Sequence, residues 1–221
     1  TLGADNGIAL AMAMALALDK DTPHPPLELL FTVDEETGLT GANSLEPGFI
    51  NSRILINVDS EDEGVFTVGC AGGINTNLYL PLCFETSPSG LETYLLRAGN
   101  MKGGHSGIDI AKEKANAIKV MCRLLEVLSK VTPVHVANIQ GGSAHNAIPR
   151  DCTATILLDA KNVEQVKKKI GEMQSVLREE YKNTEPDLSL SLDTCDPADQ
   201  CLGIAESERL VQFIRVIPHG V

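Results

Sequence analysis

Residues 27–42 read LELLFTVDEETGLTGA. An almost continuous apolar run ends there in three consecutive carboxylates, Asp34, Glu35 and Glu36. The run predicts a strand over 27–33 that is covered on both faces, as strands of parallel sheets are. Three like charges side by side contribute nothing to folding such a strand, because they repel one another. The carboxylates are therefore candidates for a chemical role.

The surrounding sequence alternates predicted helices and strands. The Ala-rich stretch 8–18 predicts a buried helix, with Asp5 or Asn6 as its N-cap. A short helix is expected after TGLTGA, and SRILINV at 52–58 predicts a second buried strand. Strand, helix and strand in this order indicate a parallel α/β sheet.

The remaining sequence predicts a β-α-β-β-α-β order, which is the ferredoxin-like pattern. The predicted strands and helices cover residues 91–99, 111–130, 131–142, 152–160, 162–181 and 187–194, with a last helix from about residue 206. The helix over 111–130 has an apolar stripe of Ile118, Met121, Leu125 and Leu128, and Asn162 is expected to cap the helix over 162–181. Residues 187–194 alternate with period two, as a half-buried strand does. The predicted fold class is thus α/β. Residues 1–73 would be part of a parallel-sheet catalytic domain, and residues 74–221 an α+β ferredoxin-like lid domain that is itself incomplete.

Composition excludes some classes of partner. The 221 residues carry 18 Lys and Arg against 30 Asp and Glu, a net charge of -12, so a nucleic-acid partner is not expected. The apolar stretch 8–18 is shorter than the roughly 20 residues that span a bilayer, and no membrane association is expected. The six Cys are scattered without a CxxC pair, which indicates buried free thiols and a cytoplasmic location.

Acidic residues recur where the predicted parallel strands end. Glu35 and Glu36 follow one strand, Asp59 follows the next, and Asp5 precedes the first helix. Ligands of open parallel sheets bind beyond the carboxyl ends of the strands, so these carboxylates could converge on a divalent metal. Taken singly, Asp5 is more often a helix cap, Asp59 is more often part of a hydrated loop, and Glu35 and Glu36 are as often solvated loop charges as ligands. Carboxylates with His suit zinc or manganese, and carboxylates alone also suit magnesium.

Several motifs together resemble one enzyme family. GADNG, FTVDEETGLTGA, NVDSEDEG followed by GCAGG, then GGHSG and GG…NAIPR occur in this order along nearly the whole chain. The set resembles the aminoacyl-histidine (Xaa-His or cytosolic non-specific) dipeptidases, within the co-catalytic zinc peptidases that include peptidase T. The resemblance implies hydrolysis of dipeptides, Xaa-His and others, with two zinc ions, manganese or cobalt being possible replacements.

The resemblance also implies roles for the acidic residues. Asp5 would bridge the two metal ions, Glu36 would be a terminal ligand of one ion, and Asp59 a terminal ligand of the other. Glu35 would be the general base that takes a proton from the attacking water and passes it to the leaving amine.

Further roles are implied for the second domain. His105 would stabilise the oxyanion, often in the active site of the partner subunit, while Asn146 and Arg150 would bind the substrate backbone and its C-terminal carboxylate. As isolated residues, His105 reads as a loop histidine, Asn146 as a turn former and Arg150 as a surface charge. The lid domain would form a homodimer.

The chain departs from the family pattern in one respect. Two zinc-ligating His residues of the family have no counterpart in a matching context, so the chain is expected to be a fragment with weak metal binding and poor turnover. Two alternatives stay open. One is a dimerisation or interaction module without catalysis, and the other is a magnesium-dependent phosphoester hydrolase, although no P-loop is present.

Overall fold

The structure is a computed structural model that describes residues 6–36, 38–59, 63–70 and 72–221. The chain divides into two compact units, the N-terminal unit (Thr1–Asn75) and the C-terminal unit (Thr76–Val221). Each unit is described by itself below. Asp5, a candidate metal ligand, lies outside the described residues.

The N-terminal unit contains two helices, α1 (Gly7–Leu18) and α2 (Thr40–Asn43). Asn6 caps α1, because its side-chain oxygen accepts a hydrogen bond from the Ala9 N–H over 3.1 Å. The expectation that α1 is buried is wrong, since none of its residues is buried. The helix is apolar on all sides, and such a helix is expected to be buried. Its sequence does not determine which surface would cover it.

The two strands predicted for the N-terminal unit are not formed in the described residues, and the predicted parallel sheet is therefore not observed. Residues 27–33 and 52–58 have no strand assignment. They are linked through the Glu28 carboxylate, which accepts from the Asn51 N–H at 3.0 Å and from the Ser52 N–H at 2.6 Å. Hydrogen bonds from Ser52 and Asn51 lower the pKa of Glu28 to about 2. A strand requires a backbone ladder, and a side-chain bridge does not replace it.

The C-terminal unit holds eight strands and three α-helices. The strands are β1 (Phe84–Thr86), β2 (Glu92–Gly99), β3 (Gly104–His105), β4 (His135–Gly141), β5 (Ala147–Ile148), β6 (Cys152–Leu158), β7 (Ser189–Thr194) and β8 (Gln200–Leu202). The helices are α3 (Ala117–Ser129), α4 (Val163–Glu180) and α5 (Ile204–Val216). Two short 3-10 turns, Ile110–Lys112 and Ala160–Asn162, complete the list.

The main sheet of this unit has four strands in the order β4-β6-β2-β7, and all neighbours are antiparallel. Together with α3 and α4 it gives the β-α-β-β-α-β arrangement, so the predicted α+β ferredoxin-like domain is confirmed. The core lies between one face of this sheet and the helices. Its fully buried side chains include Leu96 of β2, Ile156 of β6 and Leu128 of α3.

Helix α3 begins later than its sequence predicts. The apolar stripe suggested a start at residue 111, but Glu113 has a left-handed backbone with φ of 53° and interrupts the helix. Asn116 then acts as the N-cap, accepting from the Ile118 N–H at 3.0 Å and the Lys119 N–H at 3.3 Å. The cap fixes the helix start, and the predicted stripe residues Met121 and Leu125 are buried as expected.

The start of α4 also differs from the prediction. Asn162 was expected to cap this helix, but its side chain makes no capping hydrogen bond and donates instead to the Thr132 hydroxyl at 2.9 Å. Asp159 takes the capping role for the preceding 3-10 turn, accepting from the Lys161 N–H at 3.0 Å. The 3-10 turn thus moves the cap upstream of the position that the sequence suggests.

All six cysteines are free. Cys122, Cys152 and Cys201 are buried, but Cys70 and Cys83 are exposed, so the expectation of buried thiols holds for only part of the set. Burial raises the pKa of Cys122 to about 11 and that of Cys152 to about 12. Among the described residues, no helix combines the length and apolar character needed to cross a membrane.

Candidate functional site

The candidate general base lies in a hydrogen-bonded turn of the N-terminal unit. Asp34 adopts a left-handed backbone with φ of 55°, a conformation that Asp tolerates better than most residues. The Glu35 carbonyl then accepts from the Gly38 N–H at 3.1 Å and the Leu39 N–H at 3.0 Å, which leads the chain into α2. The turn leaves Glu35 and Glu36 as consecutive, exposed carboxylates.

Asn6 connects the start of α1 to the end of the predicted strand 52–58. Its side-chain amide donates to the Val58 carbonyl over 2.8 Å, while its oxygen caps the helix. Val58 directly precedes the candidate ligand Asp59, whose N–H donates to the Asn57 side chain at 3.0 Å. The structure therefore joins the residue that follows Asp5 in sequence to the residue that precedes Asp59.

The carboxylates of the N-terminal unit have the right chemistry for a divalent cation. Glu35, Glu36 and Asp59 are exposed oxygen donors, and none of them pairs with a Lys, Arg or His in the described part of the chain. No three His, Cys, Asp or Glu side chains within residues 6–36, 38–59, 63–70 and 72–221 are grouped so as to hold a metal ion. The carboxylate oxygens are thus suitable ligands for a metal ion. The set of ligands expected from the sequence also includes Asp5, which is not among the described residues.

The C-terminal unit brings the GGHSG and NAIPR motifs together. Strands β3 and β5 form a two-stranded antiparallel sheet in which His105 pairs with Ala147 and Gly104 with Ile148. The Ser106 N–H also donates to the Asn146 carbonyl at 2.8 Å. His105 and Asn146 therefore belong to one local structure, although the sequence places them far apart.

The hydrogen bonds of the His105 ring define its neutral tautomer. Nδ1 accepts from the backbone N–H of Gly107 at 3.1 Å and of Ile108 at 3.2 Å. A nitrogen that accepts these bonds carries no proton, so the proton of the neutral ring lies on Nε2. The ring thus presents an Nε2–H donor while its other nitrogen is held by the turn.

Asp109 fastens the turn that carries His105. Its carboxylate accepts from the His105 N–H at 2.9 Å and pairs with Lys112 at 2.8 Å and Lys114 at 3.3 Å. The hydrogen bonds from Lys112 and from the His105 backbone hold the pKa of Asp109 well below its usual range. Asp109 was not predicted from the sequence, although an acid four positions after His105 and close to two Lys was a usable signal.

Two glycines of the GGHSG motif have distinct reasons to be glycine. Gly103 has a φ of +64°, the left-handed region that favours glycine. A Cβ on Gly104 would lie 2.5 Å from an Asp109 carboxylate oxygen and 2.6 Å from the Lys114 ammonium nitrogen. The motif is therefore shaped to fit the ion pair that sits against it.

Arg150 and Asn146 are both exposed in the C-terminal unit. The Arg150 guanidinium pairs through Nε with the Asp151 carboxylate at 3.2 Å, and both side chains are mostly exposed. Such an exposed pair contributes little to stability. Within the described part of the chain, the terminal nitrogens of the guanidinium make no hydrogen bond to another residue, and a guanidinium fork has the geometry that suits a carboxylate.

A separate surface cavity of about 360 Å³ has a structural explanation. It is lined partly by Lys119, whose ammonium donates to the carbonyls of Ile214, at 2.7 Å, and Ile217 near the end of α5. Burial lowers the pKa of Lys119. Since the ammonium satisfies the free carbonyls at the helix end, we assign it to folding. None of the candidate site residues lines this cavity.

Comparison with known proteins shows what the chain is similar to. Residues 96–185 match the peptidase dimerisation domain family (M20_dimer). Over all 221 residues the chain is 38% identical to the cytosol non-specific dipeptidase of Escherichia coli (strain K12), and it covers 46% of that protein. The crystal structure of the aminoacylhistidine dipeptidase from Vibrio alginolyticus matches with a TM-score of 0.73 and 32% identity, covering 100% of this chain and 45% of that one.

Residues 96–185 of the C-terminal unit are therefore similar to a peptidase dimerisation domain, and the whole chain is similar in sequence to a dipeptidase. The particular relatives are cytosol non-specific dipeptidase and aminoacylhistidine dipeptidase, so the resemblance seen in the motifs is confirmed. The chain spans about half the length of these relatives.

Proposed function

We propose that the protein hydrolyses dipeptides, including Xaa-His, in a metal-dependent reaction. The observation that carries the proposal is the β3–β5 pairing, which joins the His105 motif to the segment of Asn146 and Arg150. The pairing supports the proposal that His105, as the oxyanion donor, acts together with Asn146 and Arg150, which would bind the peptide C-terminus. Identity of 38% with a dipeptidase along the entire chain supports the same reaction class.

In the N-terminal unit, Asp5, Glu36 and Asp59 would hold the metal, which we propose to be zinc, with manganese or cobalt as replacements. When bound, the metal supplies Lewis acidity that polarises the scissile carbonyl. Glu35 accepts the proton of the attacking water and transfers it to the nitrogen of the leaving amine. Glu35 suits this role because it is exposed, held in a turn and not paired with a cation in the described part of the chain.

In the C-terminal unit, His105 would donate its Nε2–H to the oxygen that gains negative charge as water attacks. The two backbone bonds to Nδ1 keep that proton on Nε2, so the donor is set before substrate arrives. Arg150 would bind the C-terminal carboxylate through its guanidinium fork. Asn146 would hold the substrate backbone through its side-chain amide.

We also propose a homodimer formed through residues 74–221, and a cytoplasmic location. The dimer is supported by the match of residues 96–185 to a peptidase dimerisation domain. The location is supported by the name of the relative from Escherichia coli, a cytosol dipeptidase.

The two neighbouring glutamates allow a direct test of the proposal. Zinc content and Xaa-His hydrolysis would be measured for the protein expressed from its native gene, together with Glu35→Gln and Glu36→Gln. Glu35→Gln should retain zinc and lose about 10²-fold or more in kcat, since it lacks the general base. Glu36→Gln should lose zinc affinity. Glu46→Gln, an exposed acid of the same unit, is the charge-matched control and should change neither quantity.

A dimerisation module without catalysis is the second candidate. It is favoured by the family match, which names a dimerisation domain and covers residues 96–185. A dimer in sedimentation that holds no zinc and shows no hydrolysis above background would establish this candidate and refute the dipeptidase proposal.

A further inference from the structure

Glu185 is a fully buried carboxylate outside the candidate site. It follows α4 and has a relative exposure of 0%. Its two oxygens accept from two separate backbone groups, Oε2 from the Lys102 N–H at 2.7 Å and Oε1 from the Ala115 N–H at 3.3 Å. An ionised Glu is an acceptor at both oxygens, so its side chain matches two N–H donors.

The two backbone groups mark the ends of the segment that carries His105. We term residues 102–115 the histidine segment; it contains β3, the turn closed by Asp109 and the first 3-10 turn. Met101, directly before the segment, and Ala115, its last residue, are buried at 1% and 0% exposure. Both ends of the segment, within which His105, Gly107 and Ile108 are exposed, are thus joined to a single side chain.

A neighbouring residue reinforces this arrangement. The Thr184 hydroxyl donates to the Glu113 carbonyl at 3.3 Å. The Glu185 backbone is itself fixed to α4, because its N–H donates to the Tyr181 carbonyl at 2.7 Å. The end of α4 therefore provides a rigid base, and Thr184 and Glu185 reach from it to the histidine segment.

Burying a carboxylate carries a cost that folding alone does not require. An apolar side chain could fill the same space, whereas a buried carboxylate loses its hydration and stabilises the fold only through the bonds it makes. Glu185 forms no ion pair with another described residue. Its bonds are directed at the two ends of one loop, which indicates a function in fixing that loop.

We propose that Glu185 is a positioning residue for His105, acting through the backbone of the histidine segment. The inference rests on the proposed role of His105 as oxyanion donor. Displacing a catalytic group by about 1 Å can cost about 10²-fold in rate, so the loop must be held in a narrow range of positions. Glu185 provides this restraint without contacting substrate.

The test compares Glu185→Gln with Glu180→Gln in the protein expressed from its native gene. In Glu185→Gln the new side chain would present an amide donor to one of the two N–H groups and so would keep only one of the bonds. Glu180 also binds two N–H donors, those of Arg123 at 2.7 Å each, but it does not touch the histidine segment. It is therefore the matched control.

Hydrogen exchange and kinetics together decide the outcome. For Glu185→Gln we expect amide exchange in residues 102–115 to rise about tenfold and kcat for dipeptide hydrolysis to fall about tenfold, with KM within about twofold. Glu180→Gln should leave both unchanged. Exchange that rises evenly over the whole unit, or that stays within about twofold of wild type in residues 102–115, would overturn the proposal.

Two further measurements separate the possible failures. If Glu185→Gln does not fold, Glu185→Asp decides, because it keeps the charge but cannot reach both N–H groups; unchanged exchange and kcat in that variant refute the proposal. If His105→Ala hydrolyses dipeptides as fast as wild type, the proposed function of His105 fails, and the role of Glu185 as its positioning residue fails with it. If His105→Ala is slow but the Glu185 variants are not, only the positioning role is refuted.

Discussion

The backbone N–H of Ser106 donates a hydrogen bond to the carbonyl of Asn146 over 2.8 Å. This bond extends the β3–β5 pairing by one step, and it joins the residue after His105 to one of the proposed substrate-binding residues. A single short ribbon therefore determines how the imidazole lies relative to the NAIPR segment. A substitution in either segment should therefore alter the conformation of the other.

Replacement of His105 should separate catalysis from turn stability. His105→Ala and His105→Asn should both lower kcat by about 10²–10³-fold, because neither retains the Nε2–H donor. His105→Ala should also lose about 1 kcal/mol of unfolding free energy, since the N–H groups of Gly107 and Ile108 lose their acceptor. The Asn oxygen can replace Nδ1 as that acceptor. Steady-state kinetics and thermal unfolding measure both effects; a kcat unaffected in both variants would contradict the assignment.

Arg150 should affect substrates according to their C-terminal group. Arg150→Ala should raise KM about 10-fold or more for dipeptides with a free carboxylate, because a charge-assisted bond is lost. The KM for the same dipeptides with an amidated C-terminus should change less than about threefold. Arg97→Ala is the control, since Arg97 is also an exposed Arg paired with an acid, Asp193, at 3.7 Å. Equal effects on both kinds of substrate would rule out a carboxylate site.

Asp109 should contribute to the acid sensitivity of the C-terminal unit. The hydrogen bond from Lys112 and that from the His105 backbone lower the pKa of Asp109 in the folded state. A lowered folded pKa gives stability that is present above the unfolded value of about 3.9 and is lost as pH falls below it.

We therefore expect Asp109→Asn to reduce Tm at pH 7, and to show a smaller further loss of Tm between pH 5 and pH 2.5 than wild type does. The acid loss will not vanish, because bonds from Lys161 and Arg123 also lower the pKa values of Asp159 and Glu180. Asp193→Asn, on an exposed strand end, is the charge-matched control. Identical pH profiles for Asp109→Asn and wild type would show that the Asp109 contacts do not stabilise the folded unit.

Leu96 should be among the most sensitive core positions. It lies on the central strand β2 with 0% exposure, so Leu96→Ala should cost about 2–5 kcal/mol and lower Tm by roughly 5–15 °C. Val176→Ala is the control, because Val176 on α4 is 56% exposed and should change stability by less than about 0.5 kcal/mol. Thermal and urea unfolding of both variants test the expectation. A loss below about 1 kcal/mol for Leu96→Ala would mean that the core lies elsewhere.

The C-terminal unit could be predicted because its elements carry their own local signals. The stripe on α3 and the alternation in residues 187–194 are properties of short windows, and burial in the structure follows them. The errors fall where a side chain or one backbone angle sets a boundary, as Asn116 and Glu113 do before α3. Such boundaries depend on single hydrogen bonds that periodicity does not encode.

The N-terminal unit shows the opposite case. Its apolar runs satisfy the pattern of buried strands, yet Ile54, Leu55 and Ile56 are 83%, 80% and 79% exposed. A strand of this kind requires backbone pairing and layers on both faces, which are tertiary conditions. A hydrophobic pattern can therefore predict that a segment requires burial, but it cannot predict whether the described residues bury it.

The candidate site was accessible from sequence only in part. Motif spelling was sufficient to propose His105, Asn146 and Arg150, but it gave no indication that β3 and β5 pair or that Nδ1 faces two backbone N–H groups. Glu185 was also missed, because a lone Glu after a helix has no distinctive local pattern. Residues that act through main-chain contacts become visible only when the contacts themselves are known.

Asn6 shows how narrowly one position can be specified. Its oxygen caps α1 while its amide nitrogen bonds to the Val58 carbonyl, so the side chain must accept and donate at the same time. Ser, Thr and Asp are good helix caps, but an ionised Asp has no proton to donate and a hydroxyl is too short to span both partners. Among the usual capping residues, Asn alone satisfies both demands. A substitution of Asn6 should therefore disturb both the start of α1 and the backbone that leads to Asp59.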